Sequence, residues 1–269
     1  MIQKAKVLTL IVFGLLFINL SAQEDNFSND PAAKLPDEDR KFRFGLQFSP
    51  NVSWLKANTS GYESNGTKIG YSYGLSFEYF LSKNYLFSTG LSMLYTGGKL
   101  NYKGTAVDLV EIYPAEIDVA YNLRYIEIPL LLKLRTNEIG YLTYFGQFGF
   151  KTGFNYRSNA NYSYEYRDPN FPTFSKNTSG SSDDVSKEIN FVNMSLAIGV
   201  GIEYNISGNT SLSLGLTYNN GFINQLDTKV NILDANGNAL IDNNGNPVYS
   251  EKVASANLNY IALNIGIYF

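Results

Sequence analysis

Seven ionisable residues stand at alternate positions within otherwise apolar or small-residue stretches of this sequence. They are Arg43, Glu78, Glu127, Lys133, Arg135, Lys151 and Glu203. Two neighbouring carboxylates can work as an acid–base pair, and a row of charges can line a gated ion path. The alternative is that these charges only neutralise one another, because an unpaired buried charge is costly.

Two short motifs near the C-terminal end carry oxygen ligands at every second position. They are Asp234, Asn236 and Asn238, followed by Asp242, Asn244 and Asn246. Oxygen ligands in this pattern suit calcium, but an EF-hand has its glycine at the sixth position and a glutamate at the twelfth, and neither is present. Asn-Gly dipeptides are typical of hairpin turns. We therefore expect turns here and keep a calcium site as the alternative.

Aromatic residues are concentrated in one polar stretch between residues 157 and 187. They are Tyr162, Tyr164, Tyr166, Phe171 and Phe174, and Asn and Ser surround them. Tyrosine and asparagine at this density are typical of a recognition surface, because they combine contact area with hydrogen bonding at low entropic cost. The stretch could also extend a sheet as a long hairpin, and the two interpretations are compatible.

The composition excludes several classes of function. The chain has no Cys and no His, which removes disulfides, thiolate metal sites and the commonest general base and metal ligand. We accordingly predict no enzyme activity and no cofactor. A net charge of -3 gives no basic surface for nucleic acid.

The N-terminal region has the features of an export signal. Lys4 and Lys6 precede an apolar stretch over residues 7–20, and small residues follow up to Ala22. The alternative, a membrane-anchoring helix, needs about 20 apolar residues. We predict a signal peptide over residues 1–22 and a disordered lead-in over residues 23–41, which is rich in Asp, Glu, Asn and Pro.

From residue 42 onward, apolar and aromatic residues alternate with small or polar ones in eight segments. Phe42, Phe44, Leu46 and Phe48 begin the series, and residues 192–204 show it most fully. A soluble sandwich also alternates, but its exposed face usually carries Lys, Glu and Thr. Here the second face is rich in Gly and Ser, as the crowded interior of a narrow barrel requires.

The links between these segments alternate strictly in length. Three are tight turns, at residues 82–84, 136–140 and 207–209. Four are long, at residues 55–68, 96–120, 157–188 and 223–256. This rhythm predicts an all-β, eight-stranded antiparallel up-and-down transmembrane β-barrel of OmpA or OmpX size over residues 42–269. Its short turns and both termini would be periplasmic, and its four long loops extracellular.

The barrel also predicts where the charges meet. The interior of eight strands is just wide enough to be filled by side chains, which favours neutralised charges over an ion path. Five of the charged residues fall near the short-turn ends of strands and could form one sealing cluster. A hairpin centred near Glu138 would place Glu127 opposite Gly149 and diagonal to Lys151. In the hairpin around residues 207–209, pairing Ile206 with Thr210 would set Tyr204 opposite Leu212.

Three motifs resemble those of PorT-like outer-membrane barrel proteins of the Bacteroidetes. They are YIEIPLLLK at Tyr125–Lys133, GVGIEY at Gly199–Tyr204 and LGLTYNNGF at Leu214–Phe222. Phe269, an aromatic residue at the end of the last strand, resembles the signal by which the barrel assembly machinery selects its substrates. The resemblance implies an eight-stranded outer-membrane barrel. One member of this functionally broad family takes part in type IX secretion.

Three functions remain open from the sequence. The first is a structural or binding barrel, set in outer-membrane lipid, whose surface loops recognise an extracellular ligand or partner. The second is a component of a secretion or transport assembly that contacts secretion-system proteins at the periplasmic rim. The third is a solute channel, which the expected filled lumen argues against.

Overall fold

The computed structural model describes residues 41–269, apart from 109–110, 168–174, 180–182, 235, 237 and 244–245. The expected signal peptide, and the lead-in as far as residue 40, lie outside the described residues. Contacts join the described residues into one compact unit. Within the described ranges, no helix is both long and apolar enough to traverse a bilayer.

Eight long strands form the wall of the structure. They are β1 (Phe42–Ala57), β3 (Thr67–Ser82), β4 (Tyr85–Asp108), β5 (Glu111–Arg135), β6 (Leu142–Arg167), β9 (Val192–Ser207), β10 (Thr210–Asn224) and β13 (Ala256–Tyr268). Five short strands lie in the connections. They are β2 (Tyr62–Ser64), β7 (Ser175–Ser179), β8 (Asp183–Asp184), β11 (Lys229–Asn231) and β12 (Tyr249–Val253).

Each wall strand pairs antiparallel with the next along the chain, and β1 pairs with β13 to close the ring. The predicted eight-stranded antiparallel barrel is therefore confirmed. Closure gives every wall strand a partner on both sides, which matters in lipid because no water is available there to satisfy an open edge.

The alternation in sequence becomes two chemically different faces. Outward positions carry large apolar residues, which together form an apolar belt around the barrel. Phe44 and Leu75, for example, are more than half exposed. Inward positions carry small or polar residues. Gly201 shows why small residues are needed, since a Cβ there would lie 2.4 Å from the ring of Phe145. The barrel interior is thus packed tightly enough for single atoms to matter.

The long connections lie at one end of the barrel, which we call the long-hairpin end, and the short turns lie at the other. In the parts of β4, β5 and β6 that extend past the apolar belt at the long-hairpin end, the chemistry of the two faces reverses. On β5 the inward residues from Ala115 to Tyr125 are buried and apolar, whereas Glu116 and Asp118 face outward and are exposed. Between the Arg124–Arg157 and Tyr125–Asn155 pairs, a bulge inserts Tyr156 into β6 and changes the phase of the strand, so that Ser158 and Ala160 point inward. This reversal is what a sheet leaving lipid for water requires.

The reversal also corrects two of the expected loops. Residues 96–120 and 157–188 were expected to be long links, but β4 continues to Asp108, which pairs with Glu111 at the start of β5, and β6 continues to Arg167. The strands were missed because their apolar face turns inward there, so the lipid-facing pattern stops while the ladder of hydrogen bonds continues.

The turns set a register different from the expected one at two places. Gly140 has a positive φ of 69° and lies in a tight turn between Ile139 and Leu142, so the hairpin is not centred on Glu138. Glu127 therefore pairs with Gly153 instead of Gly149. At the other turn, Thr210 pairs with Ser207 instead of Ile206, and a bulge restores the expected Tyr204–Leu212 pair.

Candidate functional site

Five charged side chains meet inside the barrel at its short-turn end. Arg43 lies 2.6 Å from both Glu78 and Glu203. Lys133 lies 2.9 Å from Glu78 and also contacts Glu203, and Arg135 lies 3.2 Å from Glu203. β1, β3, β5 and β9 each place at least one of these residues, all of which come from inward positions. We refer to this group as the charge cluster.

Aromatic rings close the space around the charge cluster. The ammonium of Lys133 lies 4.1 Å from the centre of the Phe145 ring, and the guanidinium of Arg43 lies 4.5 Å from that of Tyr268. Glu78 and Lys133 are each only 1% exposed. Charges this deeply buried are tolerated only when they are paired and hydrogen-bonded, as they are here.

A smaller polar network occupies the middle of the lumen. Lys151 lies 3.3 Å from Glu127, which also accepts a 2.7 Å hydrogen bond from the Tyr260 hydroxyl. The Lys151–Glu127 bridge is diagonal across the β5–β6 ladder. A cavity of about 50 Å³ lies beside this network, and its lining includes Glu127, Lys151 and, from the charge cluster, Lys133. That volume holds a few waters.

The long-hairpin end of the lumen is filled by an apolar core. Tyr125, Leu55 and Leu258 are fully buried there, together with Leu226 from the link after β10. Gln225 joins this core through its amide, which accepts a 2.7 Å hydrogen bond from the Tyr125 hydroxyl and donates one to Asn193. Sequence reasoning missed Gln225 and Leu226, because nothing in an apparent loop marks the two residues that turn inward.

Two of the tyrosines expected to form a recognition surface, Tyr162 and Tyr164, lie on the inner side of the hairpin end. Tyr162 and Tyr164 are half-buried against the apolar core, and their rings stack at 6.1 Å. Burial raises the pKa of both hydroxyls, and it raises the pKa of nearby Tyr62 to about 12. The side chain of Tyr166, together with Phe171 and Phe174, lies outside the described residues. Tyr162 and Tyr164 therefore stabilise the hairpin.

The outward face of β4, β5 and β6 is the surface that this end offers to water. Asn101 donates hydrogen bonds of 2.9 Å to Glu116 and 3.0 Å to Asp118. Asn161 and Ser163 on β6 are exposed beside them. We call this set, Asn101, Glu116, Asp118, Asn161 and Ser163, the polar wall. Its amides, carboxylates and hydroxyls can recognise hydrogen-bonding ligands.

The two Asp–Asn motifs form tight turns. Asp234 accepts hydrogen bonds from the backbone N–H of Asn236 and Asn238, and Asp242 accepts one from Asn246. Isolated bridges flank each motif, as expected for short hairpins. Asn244 lies outside the described residues. The carboxylates thus cap their own turns, and within the described ranges no group of three or more His, Cys, Asp or Glu is placed to hold a metal ion.

Several solved structures are similar to the barrel. Neisserial surface protein A is 13% identical with a TM-score of 0.38, and the match covers 84% of this chain and 95% of that one. Ail of Yersinia pestis is 12% identical with a TM-score of 0.30, covering 85% and 98%. OprG of Pseudomonas aeruginosa is 13% identical with a TM-score of 0.32, covering 85% and 94%. Likeness at this level does not transfer a function.

A comparison with curated proteins gives no match. A family model does match, over residues 21–227, and its description is outer membrane protein beta-barrel domain. The match spans β1 through β10, including the charge cluster and the polar wall. The closed ring, the apolar belt and this match agree, and the chain belongs to the outer membrane protein beta-barrel domain family.

Proposed function

We propose that this outer-membrane barrel is a closed, non-catalytic anchor whose long hairpins form a binding surface outside the cell. The observation that carries the proposal is the reversal of polarity along β4, β5 and β6. Below it the barrel faces lipid, and above it a folded sheet with its own core faces water. A sheet held rigid in this way can present the polar wall at little entropic cost on binding.

The closed lumen supports an anchor more than a channel. The charge cluster fills one end and the apolar core fills the other, and a cavity of about 50 Å³ lies between them. Purified barrel in planar bilayers should therefore give no stable single-channel conductance. Steps that recur at constant amplitude would contradict the closed lumen.

The proposed orientation puts the long hairpins outside and both chain ends in the periplasm, as is usual for such barrels. Because the chain has no native Cys, single-cysteine variants test it cleanly. Ser163→Cys on the polar wall should react with a membrane-impermeant maleimide on intact cells. Lys83→Cys, in the turn between β3 and β4, should react only after the outer membrane is permeabilised. The opposite pattern would invert the topology.

Binding itself can be tested on the polar wall. Cells that display the barrel would be compared with cells that display a variant in which Asp118, Asn161 and Ser163 are replaced by Ala. We expect the variant to lose adhesion to immobilised host glycans and matrix proteins while keeping its heat-modifiable mobility on gels. Equal adhesion by both would remove the polar wall as the binding surface.

We also propose membership of the PorT-like subgroup, on the motifs at Tyr125–Lys133, Gly199–Tyr204 and Leu214–Phe222. We place the surface role ahead of a secretion role because the two ends of the barrel differ in the amount of folded surface available to a partner. Within the described residues the short-turn end has three brief turns, whereas the long-hairpin end carries a folded sheet. Loss of secreted cargo in a deletion strain, restored by a variant that lacks the polar wall, would reverse this order.

A further inference from the structure

A groove on the outer wall lies where the apolar belt ends and the water-facing sheet begins. Its volume is about 330 Å³, and its lining includes the cationic side chains of Lys68, Arg124 and Arg157. Tyr71 and Tyr95 line its lower edge. No carboxylate belongs to the lining residues that the structure describes, so the groove is strongly positive.

Within the part of the chain that the structure describes, no salt bridge joins Lys68, Arg124 or Arg157 to a carboxylate. Arg124 stands directly opposite Arg157 in the β5–β6 ladder, an arrangement of like charges that destabilises a sheet. In the described ranges the salt bridges involve other residues, and Lys68 donates to the amide oxygen of Asn122. Asp184, on the neighbouring β8, attracts Arg157 electrostatically without forming a salt bridge, and it accepts hydrogen bonds from the hydroxyl and the N–H of Ser186. An external anion would relieve this repulsion.

The shape of the groove depends on a glycine in β4. A Cβ at Gly97 would lie 2.0 Å from the backbone oxygen of Tyr121 and 3.2 Å from the side chain of Lys68. The missing side chain lets Lys68 cross the outer face of β4 towards Asn122 on β5. The recess between β3 and β5 therefore remains open and carries charge on both sides.

The position of the groove points to a membrane lipid. On β5, the outward apolar series begins at Ile126, and Arg124 is the next outward position towards the long-hairpin end. On β6, Arg157 directly follows outward-facing Tyr156. Arg124 lies 5.5 Å from the centre of the Tyr95 ring, which stacks on Tyr71 at 4.8 Å. Rings of this kind lie at the headgroup level of a bilayer, where lipid phosphates are found.

We propose that the groove binds the phosphate of an outer-leaflet lipid headgroup. Arg124 and Arg157 donate charge-assisted hydrogen bonds to the phosphate oxygens, Lys68 adds a third positive charge, and the acyl chains lie along the apolar belt below. Only the choice of leaflet rests on the proposed orientation. Binding to a phosphorylated lipid follows from the groove alone.

The test is a lipid titration of the purified, folded full barrel in detergent micelles, followed by native mass spectrometry. The probe is bisphosphorylated lipid A, and inorganic phosphate serves as the soluble comparison. The test variant is Arg124→Gln with Arg157→Gln. The matched control is Lys103→Gln with Lys252→Gln, which removes the same charge from exposed positions outside the groove. Arg157→Gln alone is a milder variant should the double variant fold poorly.

We expect one lipid A to bind the wild type and the control equally, and the double variant to bind at least tenfold more weakly. Arg157→Gln should fall between them, and millimolar inorganic phosphate should not compete. No lipid adduct, or equal losses in variant and control, would overturn the proposal. Full competition by inorganic phosphate would assign the groove to a soluble anion and also overturn it. Because micelles have no sidedness, these outcomes are independent of the cysteine labelling that tests the orientation.

Discussion

Removing one carboxylate from the charge cluster should destabilise the barrel far more than removing its buried lysine. Three cations face two carboxylates in this cluster, so its net charge is +1. Glu203→Gln raises that charge to +2 and removes contacts to Arg43, Lys133 and Arg135. Breaking a buried pair from one side costs about 3–5 kcal/mol, and we expect a loss in that range.

Lys133→Met has the opposite effect on the charge balance. The cluster becomes neutral, Arg43 still bridges both carboxylates at 2.6 Å, and the desolvation of a buried ammonium is relieved. A hydrogen bond to a charged group contributes about 1.5–3 kcal/mol, and the relieved desolvation offsets part of what is lost. We therefore expect a net loss of at most about 2 kcal/mol, well below that of Glu203→Gln.

Urea unfolding of the purified barrel in detergent micelles measures both changes. Trp54 is the single tryptophan in the chain, and its emission reports folding without interference from another indole. Lys83→Met, in the exposed turn after β3, is the matched control and should leave the unfolding midpoint unchanged. If Lys133→Met destabilises the barrel as much as Glu203→Gln does, charge balance does not govern the cluster.

Three further changes test other parts of the structure. Leu226→Ala, which opens a cavity in the apolar core, should lower the free energy of unfolding by about 2–5 kcal/mol in the same urea assay. Partial desolvation raises the pKa of Glu188 in the folded protein. The stability contributed by the protonated carboxyl is therefore present at low pH and is lost as pH rises through this raised pKa. Glu188→Gln should match the wild type near pH 4 and unfold at higher urea near pH 7, and equal midpoints at both pH values would contradict this. Phe269→Ser, if the terminal aromatic is the assembly signal, should reduce the heat-modifiable barrel in membranes without changing its stability once refolded.

The fold could be predicted because the two faces of a membrane barrel require apolar and small or polar residues to alternate along each strand. Residues 192–204 alternate without interruption, and each must face either lipid or lumen, so parity alone assigns the side. The inward charges were predictable in the same way, since Glu78 and Glu203 interrupt the small-residue face of their strands. The alternation of short and long links between the segments predicted the three tight turns.

The rest depended on contacts between residues far apart in the chain. The positive φ of Gly140, which sets the register of Glu127, cannot be read from a link that contains several turn-forming residues. Tyr162 and Tyr164 suggested a surface because they stand in polar sequence, yet a bulge beside Arg157 turns them towards the core. The Asp–Asn motifs were ambiguous until Asp234 was seen to cap its own turn.

The sequence by itself determined that this chain forms a closed barrel with an apolar exterior, because lipid imposes a strict period of two on every strand that crosses it. Only the tertiary structure decided which residues fill the lumen and how the sheet at the long-hairpin end is built. The inward turn at Gln225, the reversal of polarity on β5 and the meeting of Arg124 with Arg157 all depend on which strands lie side by side. No local pattern encodes such neighbours, since water and a protein core permit many more sequences than lipid does.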